Sequence, residues 1–140
     1  MDRVFLDANV IVSAALTPKS RLGELWALSH VRLIASPYVI EEAPRNVADP
    51  AAVTRLELLI AGMAVLPSEP VDFVIEGDPG LPTKDRPVLL GAIASGSTFL
   101  LSGDMSHFGD CYGKSFGGVT VLRPGAYLRG HTGVRTHHDG

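Results

Sequence analysis

The sequence predicts an α/β domain built around a central, mostly parallel β-sheet. Short apolar runs typical of buried strands alternate with segments that have N-capping residues and helical character, and this alternation is typical of parallel sheets joined by crossover helices. The length of 140 residues fits one domain, and a hydrophobic content of 46% is enough to build a core. We therefore expect one domain over residues 1–129 and a disordered Gly- and His-rich tail over residues 130–140.

The first half of the chain predicts two strands and three helices. Residues 4–6 and 31–35 are apolar runs typical of buried strands, and the first run ends near Asp7 in a turn. Helices are predicted after N-capping residues, at residues 21–28 after Ser20, at 37–42 after Ser36 and at 51–61 after Asp49. Pro44 is expected to kink or end the second of these helices.

The second half predicts a loop, a helix and two strands. Residues 67–82 are rich in Pro and Gly and are expected to form the loop. Asp85 is predicted to cap a helix over residues 86–94, with a proline tolerated in its first turn. Apolar runs at residues 98–101 and 119–122 then predict the last strands.

Composition and charge exclude several classes of protein. The 12 Lys and Arg residues against 15 Asp and Glu residues give a net charge of −3, which argues against a strongly basic nucleic-acid binder. The single cysteine, Cys111, excludes an intrachain disulfide framework and an all-cysteine zinc site. No apolar run is long enough to span a membrane, and the N-terminus lacks the features of a signal peptide. We therefore expect a cytoplasmic protein without a membrane partner.

Carboxylates follow the predicted strands at positions where they can converge. Asp7 follows the first strand, Asp104 follows the strand at residues 98–101, and Asp85 opens the helix that leads into that strand. Glu41 and Glu42 lie in the early turns of another crossover helix. Because sites in open parallel sheets form outside the carboxyl ends of the strands, these acids are expected to meet at one edge.

Convergence of several carboxylates requires a compensating charge. Like charges within a few ångströms repel and raise one another's pKa values, and a divalent cation removes this penalty. Oxygen ligands favour Mg²⁺ or Mn²⁺ over softer metals, and such an ion activates water and neutralises charge on a phosphate. The pattern therefore indicates phosphodiester hydrolysis.

Four segments, in this order, resemble those of the PIN domain family, the fold of many metal-dependent ribonucleases. They are VFLDANV at residues 4–10, SPYVIEE at 36–42, KDRPVLLGA at 84–92 and FLLSGD at 99–104. The run GVTVLRP at residues 118–124 resembles the last strand of the family. The resemblance covers roughly residues 1–129 and implies a PIN-like α/β/α sandwich with a central, mostly parallel sheet.

The resemblance also implies a set of site residues. The four catalytic acids would be Asp7, Glu42, Asp85 and Asp104. The three aspartates among them would hold Mg²⁺ or Mn²⁺, directly or through water. Glu41 competes with Glu42 because the register of that segment is defined only to within about one residue. Asn9 and Ser102 would be supporting polar groups that position the carboxylates or the metal-bound water.

Other polar residues have weaker claims to a role. Asp110 is a candidate for an outer contact to the site, whereas Asp78 lies in the Gly- and Pro-rich loop and is expected to be solvated. His107 could contact a phosphate or a metal, although a single histidine in a loop more often does neither. The candidates for contacts with RNA phosphates are Lys84, Arg86, Arg45 and Lys114. The tail histidines are His131, His137 and His138, which have no fixed geometry to bind a metal.

Three functions compete at this point. The resemblance implies a Mg²⁺- or Mn²⁺-dependent endoribonuclease, and small members of the family are often toxins held inactive by a small antitoxin, which implies an antitoxin partner and a homodimer. The alternative is a catalytically inactive PIN-like module that binds RNA or protein. A haloacid-dehalogenase-type phosphatase also has an aspartate after its first strand, but it requires a second aspartate where this chain has Asn9.

Overall fold

The computed structural model of the chain describes residues 1–131. Within them, the strands are β1 (Asp2–Leu6), β2 (Val31–Ala35), β3 (Ala64–Val65), β4 (Phe99–Leu101), β5 (Ser115–Phe116) and β6 (Val119–Leu122). The α-helices are α1 (Ala8–Leu16), α2 (Pro37–Glu42), α3 (Pro50–Ala61), α4 (Arg86–Ala94), α5 (Met105–Phe108) and α6 (Pro124–His131). Short 3₁₀ segments lie at Arg21–Ala27, Ala43–Asn46 and Gly109–Cys111.

The strands form one sheet in the order β3-β2-β1-β4-β6-β5. All neighbouring pairs are parallel except β5 and β6, so the prediction of a mostly parallel sheet is confirmed. The sheet and its helices form an α/β/α arrangement. Strand β1 is central, and its residues Val4, Phe5 and Leu6 are fully buried. Because β4 pairs beside β1, with Leu6 opposite Leu101, the carboxyl ends of these two strands are adjacent.

Helix α4 packs closely over the centre of the sheet. A Cβ atom on Gly91 would lie 2.9 Å from the ring of Phe5, so the absence of a side chain allows the helix to approach β1. The approach holds the N-terminal end of α4, which follows Asp85, near the carboxyl end of β1.

The first helix was not predicted. Residues 10–12 continue an apolar run after Asp7, which the sequence indicated to be a turn, but they belong to α1. Six of the nine residues of α1 are buried, so the segment lacks the period that distinguishes a helix from a buried strand. The Asp7 carboxylate caps this helix by accepting a hydrogen bond from the Ala8 amide at 2.7 Å.

The helix predicted at residues 21–28 is a 3₁₀ segment with Ser20 as its cap. Gly23 in its middle weakens an α-helix, and Leu25 is its buried residue. Trp26 packs against α3, where its indole N–H donates to the Leu59 carbonyl at 2.8 Å. The predicted caps of α2 and α3 are confirmed, and the chain tightens into a 3₁₀ turn at Pro44 as expected.

The structure of the later part of the chain differs from the sequence prediction in two respects. Asp85 precedes α4 as predicted, but its side chain makes no capping hydrogen bond. The sequence also did not predict helix α6 or the short elements β3, α5 and β5. Helix α6 ends at His131, so the tail predicted for residues 130–140 lies almost entirely outside the described residues. None of the helices in residues 1–131 is long and apolar enough to cross a membrane.

Candidate active site

A cleft of about 290 Å³ lies at the carboxyl ends of β1 and β4. The four predicted acids line it, namely Asp7, Glu42, Asp85 and Asp104. A slightly larger depression of about 340 Å³ lies at the opposite end of the sheet, near Met1 and Trp26, and has no acidic residue among its described lining residues. Of these two depressions, only the smaller one is therefore lined by carboxylates.

Asp7 is held from two sides. Its Oδ1 accepts the hydrogen bond from the Ala8 amide, and its Oδ2 accepts from the Ser102 hydroxyl at 2.9 Å and from Asn9 Nδ2 at 3.2 Å. Burial raises the pKa of Asp7 to about 6, the hydrogen bonds from Ser102 and Ala8 oppose this rise, and the charges of Glu42 and Asp85 add to it. A cation in the cleft would relieve the cost of this buried charge.

Ser102 and Asn9 connect the ends of the two strands. Ser102 is fully buried, and its hydroxyl accepts hydrogen bonds from Asn9 Nδ2 at 3.3 Å and from the Asp104 amide at 3.1 Å. The side-chain Oδ1 of Asn9 in turn accepts a hydrogen bond from the Gly103 amide at 2.9 Å. The Tyr112 hydroxyl donates to the Ser102 carbonyl at 2.7 Å from the other side. These bonds determine where the acids on either side of them lie.

Asp104 uses its two oxygens differently. Its Oδ1 caps α5, because it accepts hydrogen bonds from the amide and hydroxyl of Ser106 and from the amide of His107. Partial burial acts to raise the pKa of Asp104, but these hydrogen bonds outweigh it and hold the pKa below its usual value. Its Oδ2 lies 2.8 Å from His107 Nδ1. One oxygen therefore organises the backbone while the other points toward the histidine.

Asp85 lies on the other side of the same histidine. It is 8% exposed, and its Oδ2 lies 2.9 Å from His107 Nδ1. The pKa of Asp85 is raised above its usual value, mainly because the side chain is buried. The charge of Asp104 adds to this rise, whereas His107 and Lys84 oppose it. The contact has the length of an ion pair but not the alignment of a hydrogen bond. Asp85 Oδ2 and His107 Nδ1 are therefore buried atoms without a hydrogen-bond partner within residues 1–131.

The structure distinguishes the two neighbouring glutamates. Glu42 lines the cleft. The Glu41 side chain is 78% exposed and contacts Arg45 at 3.3 Å, away from the cleft. The cleft position of the second acidic segment therefore belongs to Glu42.

The remaining candidates are divided between the cleft and the surface. Lys84 lines the cleft, whereas Arg86 is bound in the preceding loop by Asp72 at 2.9 Å and Asp78 at 2.8 Å. Arg45 pairs with Glu41. Asp110 and Lys114 are exposed and do not line the cleft. The side chain of His131 is not described, and His137 and His138 lie outside the described residues.

Sequence reasoning missed two polar residues of the cleft and undervalued a third. Ser13 and Asn46 line it, and His107 contacts two of its acids. Ser13 follows Asn9 by four residues on α1, so helical spacing would have indicated it if the helix had been predicted. No pattern in the sequence indicates that Asn46 lies at the cleft. His107 follows Asp104 by three residues, which places the two side chains together only because α5 forms.

The acids fit a divalent cation. Asp85, Asp104 and His107 each offer one ligand atom, and these atoms lie within 4.8 Å of one another. Asp7 lies on the same cleft, outside this cluster. A buried carboxylate oxygen without a hydrogen-bond partner is costly, and a bound cation would satisfy it.

The sheet order and helical layers form a PIN-like α/β/α fold, which the chain shares with two solved structures that contain VapC proteins. The chain is similar to VapBC2 from Rickettsia felis, solved bound to a DNA fragment from the promoter, with 11% identity and a TM-score of 0.62 over 86% of this chain and 98% of that one. It is also similar to Mycobacterium tuberculosis VapC20, described as a sarcin-ricin loop cleaving toxin, with 19% identity and a TM-score of 0.50 over 74% and 92% of the two chains. No protein-family model and no curated protein sequence matches this chain.

Proposed function

We propose that this protein is a metal-dependent endoribonuclease that hydrolyses phosphodiester bonds in RNA. The observation that carries the proposal is the convergence of four carboxylates, from four separate segments, on one cleft of a PIN-like fold. Such an arrangement is costly unless a cation neutralises it, and a divalent cation at a carboxylate cluster suits phosphodiester hydrolysis. RNA in the cytoplasm is the substrate that we propose.

The residues of the cleft have separate roles in this proposal. Asp7, Asp85 and Asp104 would hold Mg²⁺ or Mn²⁺, and Glu42 is the fourth catalytic acid. The ion, when bound, supplies an activated water and neutralises charge on the phosphate. Asn9 and Ser102 hold Asp7 through the hydrogen bonds described above. Lys84 is the basic residue of the cleft, and we propose that it binds an RNA phosphate.

The test is cleavage of single-stranded RNA by the purified protein with Mg²⁺ or Mn²⁺. We expect Asp7→Asn and Asp104→Asn to lower the rate by about 100-fold or more, since metal catalysis contributes several kcal/mol. Asp110→Asn is the matched control, because it removes the same charge from an exposed site outside the cleft. Undiminished cleavage by both cleft variants, with metal present, would reject the proposal.

We also propose a toxin role, which the fold shared with a toxin supports. We propose that a small antitoxin binds near the cleft and inhibits the ribonuclease, and that the protein acts as a homodimer. Both proposals come from the resemblance to the PIN domain family, and the fold shared with VapBC2 is consistent with an antitoxin partner. If a short reading frame neighbours the gene, the experiment is expression of the protein in growing cells with and without the product of that reading frame. Growth arrest that the second protein relieves is the expected result. Arrest that persists in the presence of a bound second protein would contradict the proposal.

A further inference from the structure

His107 is part of the cleft but has no role in the function proposed above. We infer that His107 is a metal ligand through Nδ1, and that the resulting Asp85–Asp104–His107 site favours Mn²⁺ over Mg²⁺. The inference rests on the proposed metal-dependent function and goes beyond it by identifying a nitrogen ligand and the metal preference that follows from it.

The spacing of the three ligand atoms is the first observation. His107 Nδ1 lies 2.9 Å from Asp85 Oδ2 and 2.8 Å from Asp104 Oδ2. Adjacent corners of an octahedron with metal–ligand bonds of about 2.1 Å are about 3.0 Å apart. The nitrogen is therefore separated from each of the two oxygens as neighbouring ligands of one small divalent cation would be.

The missing hydrogen bonds are the second observation. The contacts to Nδ1 are short, yet the ring N–H is not aligned with either carboxylate, and both Nδ1 and Asp85 Oδ2 lack a hydrogen-bond partner within residues 1–131. Asp85 is 8% exposed, so water compensates little of the loss. Buried polar atoms that converge without a hydrogen bond between them are unfavourable, and a cation held by the carboxylate oxygens and by an Nδ1 lone pair would compensate them.

The local fold explains why the ring is held in this position. Asp104 caps α5 through Oδ1, and the bond from the His107 amide to this oxygen, at 3.2 Å, places the two side chains on the same side of the turn. The Oδ2 of Asp104 is thereby left for the cleft. If Nδ1 carries the lone pair, the ring proton lies on Nε2, which is a neutral tautomer suited to metal binding.

The metal preference follows from the ligand chemistry. Mg²⁺ prefers oxygen ligands and retains its waters, whereas an imidazole ligand increases affinity for divalent transition metals. Mn²⁺ accepts an oxygen-rich octahedral site with one nitrogen, so two aspartates and a histidine favour Mn²⁺ over Mg²⁺.

The decisive experiment is pulsed electron paramagnetic resonance on the full chain with Mn²⁺, without RNA. We expect coupling of a ¹⁴N nucleus to the Mn²⁺ ion in the wild-type protein. The coupling should disappear in His107→Ala and in His107→Gln, and the Mn²⁺ dissociation constant should rise about tenfold or more in both. Mg²⁺ affinity, measured by competition, should change far less. His30→Ala is the matched control, because His30 is exposed at the opposite end of the sheet.

Two results would overturn the inference. If the wild-type protein binds Mn²⁺ without nitrogen coupling, or fails to bind it, His107 is not a ligand. If His107 is only a counter-ion for the two aspartates, its removal frees them, so Mn²⁺ and Mg²⁺ would both bind more tightly. RNA cleavage is measured separately. Nitrogen coupling without cleavage would reject the proposed function alone, and cleavage without coupling would reject this inference alone.

Discussion

The two sides of the cleft differ in how their polar atoms are satisfied. On the Asp7 side, hydrogen bonds join Asp7, Asn9 and Ser102 into one network. On the His107 side, two short contacts to carboxylates lack hydrogen-bond alignment, and buried atoms have no partner within residues 1–131. Hydrogen bonds within the protein thus satisfy the polar atoms of the Asp7 side, whereas on the His107 side the proposed cation would have to satisfy them. Variants on the two sides should therefore respond differently to metal.

The largest expected effect concerns the buried charge of Asp7 in the metal-free protein. Its pKa rises from 3.8 to about 6 on folding, so the native state binds this proton more tightly than the unfolded state. The stability that this group contributes is fully present below pH 3.8 and is lost as the pH rises through 6, a change of about 3 kcal/mol.

Urea unfolding in EDTA between pH 4 and pH 7.5 measures this loss. The difference between the wild-type protein and Asp7→Asn isolates the contribution of Asp7, because other titrating groups are common to both. Addition of Mn²⁺ at pH 7.5 should stabilise the wild-type protein more than the variant. A pH profile that is the same for both proteins would contradict the buried-charge argument.

A second, smaller effect tests whether the Asp7 side is complete without metal. Ser102→Ala removes the donor to Asp7 and the acceptor for the Asp104 amide, and should cost about 1–3 kcal/mol of unfolding free energy. We expect the cost to be similar in EDTA and in Mn²⁺. His107→Ala should lose stability mainly in Mn²⁺, where its ligand role operates. If both variants depend equally on metal, the distinction between the two sides is wrong.

The smallest expected effect concerns the residue that holds the loop between the two sides. Tyr112 donates to the Ser102 carbonyl at 2.7 Å and lies 3.2 Å from the Asp104 carbonyl. Tyr112→Phe should cost about 1 kcal/mol, because it removes a hydrogen bond and keeps the ring. Urea unfolding measures the cost, and a loss well above that of Ser102→Ala would show that the loop, rather than the Asp7 network, organises the site.

Much of the fold could be predicted because the sequence patterns that indicate its strands and helix caps are short and local. Strand β1, strand β2 and the caps of α2 and α3 follow from short runs of sequence. Helix α1 could not be predicted, because burial on nearly all sides removes its hydrophobic period. The helix expected from Arg21 is a 3₁₀ segment, where Gly23 reduces helical propensity.

The positions of the four acids were predictable because parallel strands bring their carboxyl ends to one edge. The sequence alone thus indicated the fold class, the edge of the sheet and the three aspartates that line the cleft. The tertiary structure decided that Glu42 rather than Glu41 faces the cleft, that Asp85 does not cap α4, and that His107 lies between Asp85 and Asp104. These outcomes depend on side-chain directions and on packing between segments distant in sequence, which local patterns do not encode.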